Sequence, residues 1–63
     1  MAELGARQRV EVELAQLEER IEKLRAFLPQ ARPEHQPVLL HTQLAYMDSY
    51  ARVLRTRLEL WES

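Results

Sequence analysis

Sixty-three residues and 7.5 kDa allow one domain at most, and so short a chain hides only about 60% of its unfolded surface by itself. The absence of Cys, with one Gly and three Pro, excludes a disulfide scaffold, a cysteine-based zinc site and collagen-like or low-complexity classes. Nine basic against ten acidic side chains leave a formal charge of −1, which gives no general pull toward nucleic acid or anionic lipid.

The first residues, Met1 to Arg7, lack the basic-then-apolar layout of a signal peptide. No unbroken apolar run, Val38-Leu39-Leu40 included, exceeds four residues, far below the roughly 20 residues a membrane span requires. A cytoplasmic protein that needs a partner chain for firm stability is therefore expected.

Helix one is expected over about residues 3–28. Val10, Leu14, Leu17, Ile21, Leu24 and Leu28 follow steps of 4, 3, 4, 3 and 4, which places all six on one stripe of an α-helix. So narrow a stripe is a seam of the coiled-coil kind. Charged residues flank it, and Glu19 with Lys23 form an i,i+4 pair with the acid first, the better orientation. Pro29 ends the helix, because it disfavours the α conformation at Leu28 and supplies no N–H.

Pro29, Pro33 and Pro37 mark a linker over residues 29–37. Pro33 and Pro37 cannot both sit in one continuous helix, since the second ring would clash with the carbonyl one turn earlier. A short helical turn followed by a bend is expected, with helix two running over about residues 38–62.

Helix two carries Leu40, Leu44, Met47, Ala51, Leu54, Leu58 and Trp61 at steps of 4, 3, 4, 3, 4 and 3. A second row lies beside this one: Leu39, Tyr46, Tyr50, Val53 and Leu60, interrupted by Gln43 and Arg57. At about 100° per residue the two rows together cover close to half the helix circumference. Helix one can cover only one of them, so the other must meet something else. The fold class expected is all-α: an antiparallel hairpin of two long helices joined by a Pro-rich turn, pairing into a homodimeric four-helix bundle.

No enzyme activity and no cofactor are expected. His41 and Thr42 are neighbours and point about 100° apart on a helix, so they cannot form a nucleophile–base pair. A glycine-rich phosphate loop and a nucleophile elbow are both absent. Glu34, His35 and His41 match no recognised metal spacing, and both histidines read as solvated. In an antiparallel hairpin Arg7, Arg9, Arg52, Arg55 and Arg57 gather toward one end and suit a phosphate or a carboxylate. Glu3, Glu11, Glu13, Glu59 and Glu62 occupy the same end, and Asp48–Arg52 and Arg55–Glu59 have i,i+4 spacing. A mixed-charge surface is therefore the plainer reading, and nucleic acid is not an expected partner. Tyr46, Tyr50, Arg57 and Trp61 are the candidate partner-binding residues, because these types are enriched at binding hot spots. The tyrosines serve equally well to complete a four-helix core.

Two stretches carry a resemblance. Leu17-Glu18-Glu19-Arg20-Ile21-Glu22-Lys23-Leu24-Arg25-Ala26-Phe27-Leu28 has a Leu–Ile–Lys–Leu seam closed by an aromatic and an aliphatic residue. Pro33-Glu34-His35-Gln36 is followed by Leu39-Leu40, Gln43-Leu44, Met47, Tyr50, Leu54 and Arg57-Leu58. Over roughly residues 10–61 the chain resembles the small phage and prophage helical hairpins, a family that includes a quorum-sensing anti-activator, a homodimer that inhibits host proteins. It departs from that pattern at Pro37, where a plain helix former is more usual. The resemblance implies a phage setting, homodimerisation and a host protein as partner in the host cytoplasm, and it carries over no target-contacting residue. Three functions are thus expected in order: a host-protein inhibitor, an oligomeric sponge that sequesters a nucleotide immune signal through arginines and tyrosines, and a passive assembly subunit of a phage particle.

Overall fold

The computed structural model describes residues 5–62. The expected start of helix one at residue 3, and the acids Glu3 and Glu62 of the charged end, lie outside what it describes, the latter as a side chain. The chain is an all-α antiparallel hairpin: α1 spans Ala6–Phe27 and α2 spans Pro37–Glu62. No strand is present among the described residues, and none of their helices is long and apolar enough to cross a membrane.

α1 opens at Gly5, whose extended backbone leaves its carbonyl to accept from Arg9 N–H at 3.0 Å. Gln8 Oε1 accepts the Gly5 N–H at 2.9 Å, the glutamine half of a capping box. α1 ends one residue before Leu28, and a single 3₁₀ turn, Leu28–Gln30, carries the chain past Pro29. A second 3₁₀ turn, Pro33–His35, then leads to Gln36, the one non-glycine residue with positive φ among those described, at φ 53°. That left-handed step is the bend that separates Pro33 from Pro37. The Gln36 carbonyl accepts from Leu39 and Leu40 N–H at 3.0 and 3.2 Å, and Pro37 takes the first helical position, where its missing N–H costs nothing.

His35 is not simply solvated. Its Nδ1 accepts the Arg32 N–H at 2.9 Å, and its ring meets Phe27 edge-on with centroids 5.2 Å apart. The linker is thereby tied back to the end of α1.

The core is one thin seam between the helices. Val10, Leu17, Ile21, Ala51 and Leu54 are buried, and Leu14, Leu44, Met47 and Leu58 pack against them half-buried. Leu24, Leu28 and Leu40 are half-buried toward the linker end. Ala51 is the one small residue in the α2 seam, and it is fully shielded. A methyl group there leaves room for the helices to approach closely.

The ion pairs differ from the i,i+4 expectation on α2. Asp48 pairs with Arg25 at 3.2 Å, not with Arg52, and Arg55 pairs with Glu18 at 2.9 Å, not with Glu59. Both bonds cross from α2 to α1, where they flank the seam and help fix its register. Side chains half in water make each worth little in stability. Glu19–Lys23 at 3.0 Å is the expected pair within α1, and Arg7–Glu11 at 3.1 Å is another.

Candidate functional site

The second row of α2 is left uncovered by α1. Leu39, Tyr46, Val53 and Leu60 are 60%, 72%, 53% and 69% exposed, with Tyr50 also open to solvent. Val12 of α1 is exposed as well. Apolar side chains lined up in this way mark an interaction surface rather than scattered surface residues.

Two open grooves lie on the molecule beside this row. The first, about 490 Å³, runs between the helices and is lined by Ala6, Arg9, Val10, Val12, Glu13, Gln16 and Arg57. The second, about 460 Å³ and nearly all apolar, is lined by Leu17, Leu39, Thr42, Gln43, Tyr46, Met47 and Tyr50. Tyr50 joins them, because its hydroxyl donates to Glu13 Oε2 at 2.8 Å.

The electrostatics of the first groove are uneven. Arg7 and Arg55, two of the five gathered arginines, are held by Glu11 and Glu18. Arg9 and Arg57 reach the groove from opposite helices, and neither has an ion-pair partner among the described residues. Glu13, the acid of the groove, is occupied by the Tyr50 hydroxyl. Two guanidiniums with no ion-pair partner among the described residues, with the Gln16 amide also lining the groove, offer charge-assisted donors of the kind that suit phosphate.

The hydrogen bond to Glu13 raises the Tyr50 pKa above its ordinary value. Partial desolvation and the negative charge of Glu13 act in the same direction, and Arg57 opposes them. A raised folded-state pKa means that folding favours the neutral phenol. This contribution to stability is full below about pH 10, the unfolded value, and is lost as pH rises through the folded value. The chain has two tyrosines, so Tyr46→Phe leaves Tyr50 as the sole phenolate chromophore. Its titration at 295 nm is expected to have a midpoint above that of free tyrosine, and Glu13→Gln is expected to bring the midpoint down. An unshifted midpoint in the Tyr46→Phe protein would contradict the bond.

Of the four candidate partner-binding residues, the structure brings Tyr46 and Tyr50 to the apolar groove and Arg57 to the charged one. Trp61 is exposed at the far end of α2 and lines neither. Gln16 of α1 was not among the residues singled out from sequence, and Arg9 and Glu13 entered only as parts of a general cluster of arginines and acids. The single signal for them is their place one helical step outside the α1 seam.

The family whose model matches the chain is described as Sequestin, and the match covers residues 5–60. No curated protein and no solved structure matches it.

Proposed function

Because the chain belongs to the Sequestin family, we propose that it acts by holding a ligand out of circulation, and that the ligand is a nucleotide signal of a host immune pathway. The family's name fits a sequestering role. The observation that carries the nucleotide reading is the groove lined by Arg9, Gln16 and Arg57, in which neither arginine has an ion-pair partner among the described residues. Its volume is within the range of small-molecule sites. Guanidiniums suit the phosphates, and the adjoining Tyr46 and Tyr50 supply aromatic faces of the kind on which bases stack. A sponge needs no catalytic group, only affinity and abundance. The resemblance to phage hairpins supports a phage gene product acting in the host cytoplasm.

A second reading is favoured by the open α2 row: a host protein docks there and is inhibited. The two readings differ in what saturates the protein. Calorimetric titration with a panel of linear and cyclic nucleotides is expected to find a saturable binder among them. A flat response across the panel, with a host protein co-eluting at fixed stoichiometry, would replace the first reading with the second.

A further inference from the structure

The charged groove holds one group that phosphate recognition does not use. Glu13 lines it together with Arg9, Gln16 and Arg57. Arg9, Glu13 and Gln16 follow steps of 4 and 3, so the three share one face of α1 with the acid in the middle. A carboxylate repels phosphate, and its place among the phosphate donors suits a different part of the ligand.

Glu13 is only half engaged. The Tyr50 hydroxyl donates to Oε2 at 2.8 Å, and Oε1 has no partner among the described residues. An ionised carboxylate accepts hydrogen bonds and donates none, so Oε1 is matched to an O–H or N–H of the ligand. The bond from Tyr50 already restrains the side chain, which lowers the ordering cost of using it.

The position of Glu13 selects among such donors. It shares one groove with Arg9 and Arg57, and its bond to Tyr50 carries it to the edge of the other, which Tyr46 and Tyr50 line. Arg57 stands two helical turns from Tyr50 on α2, about 10 Å along the axis, and its charge still acts on the Tyr50 hydroxyl. Cations, carboxylate and aromatic faces thus follow one another along the site. Phosphate, sugar and base follow one another along a nucleotide. With phosphate on the arginines and the base on the tyrosines, the sugar lies against Glu13.

We infer that Glu13 is the specificity-determining residue of the groove: in a protein that holds a nucleotide as proposed, its Oε1 accepts from a ribose hydroxyl. The ligand class narrows to ribonucleotides with a free 2′- or 3′-hydroxyl. The same pairing of a carboxylate with a ribose hydroxyl fixes the sugar in dinucleotide-binding folds. A deoxyribose sets a C–H against Oε1, so the repulsion between Glu13 and the phosphate has no bond to offset it.

The test is calorimetric, with adenosine and guanosine 5′-monophosphate as probes, each in its ribo, 2′-deoxy and 3′-deoxy forms. Loss of the recognised hydroxyl is expected to weaken binding about tenfold, the size of one hydrogen bond to a charged group. The two deoxy forms show which hydroxyl it is. In Glu13→Ala the preference is expected to vanish, so that protein and ligand changes are coupled rather than additive. Glu13 is exposed and alanine is the best helix former, so the variant keeps its fold, which circular dichroism checks. Glu13→Gln retains a neutral acceptor and is expected to keep part of the preference. Equal affinity of the unmodified protein for all three forms would overturn this inference and leave the sponge reading standing. An equal weakening of all three in Glu13→Ala, with the preference intact, would also overturn it, since Glu13 would then act only by holding Tyr50. Failure of every form to bind would remove the nucleotide reading and this inference with it.

Discussion

Replacing Leu54 with alanine is expected to cost about 2–5 kcal/mol, the largest effect of any single truncation in this molecule. Leu54 is the one large side chain that is fully buried among the described residues, and it lies one turn from the equally shielded Ala51. The core around it consists of three other buried residues, Val10, Leu17 and Ile21, with half-buried neighbours. So thin a seam has little capacity to collapse into the space left behind. A domain of this size has a few kcal/mol of stability in all, so the variant should be largely unfolded at ambient temperature. The half-buried Leu44 is mid-seam by spacing but loses less contact on truncation, and Leu44→Ala should melt between the two. Circular dichroism melts of the three proteins at one concentration check the order. An unchanged melting temperature for Leu54→Ala would show that the helices do not meet along this seam.

That seam could be read from the sequence because a 4,3 spacing of Leu, Ile and Val has one geometric meaning on a helix. The turn was nearly as legible. Pro33 and Pro37 cannot share a helix, and the chain resolves the conflict with a left-handed residue at Gln36. The ion pairs between the helices were not legible. Asp48 and Arg55 each have an i,i+4 candidate on their own helix, but closing the hairpin brings Arg25 and Glu18 within reach instead. Linear spacing cannot show a partner that arrives from the other helix.

The charged groove was obscure for the same reason. Arg57 stood out as a break in an apolar row, whereas Arg9, Glu13 and Gln16 look like ordinary solvated residues of α1 until α2 lies beside them. Trp61 stood out by residue type, yet it sits outside both grooves.

The second large effect is on binding. Arg57→Ala is expected to weaken nucleotide capture about thirtyfold, equivalent to about 2 kcal/mol. Arg57 supplies a cation with no ion-pair partner among the described residues, and it lines the charged groove. Arg57→Lys should recover part of the loss, since the charge returns without the planar fork that grips phosphate at two points. Arg52→Ala removes an exposed arginine that lines neither groove, and affinity should stay within error of the parent protein. Equal losses for Arg52→Ala and Arg57→Ala would mean that net charge, rather than the groove, attracts the ligand. Arg9→Ala reaches the same groove from α1, so its effect should be coupled to that of Arg57→Ala rather than additive with it.

Capture without chemistry is the expected mode of action, and one titration followed by recovery of the ligand tests both halves of it. The protein is titrated calorimetrically with linear and cyclic nucleotides, the strongest binder is mixed with it at equimolar concentration, and the ligand is released by heat and analysed by chromatography. The expected result is saturation at a fixed stoichiometry, one ligand per groove, with the nucleotide recovered intact after prolonged incubation. Absence of saturation with every nucleotide in the panel would contradict the sponge reading, and recovery of a converted product would contradict sequestration itself.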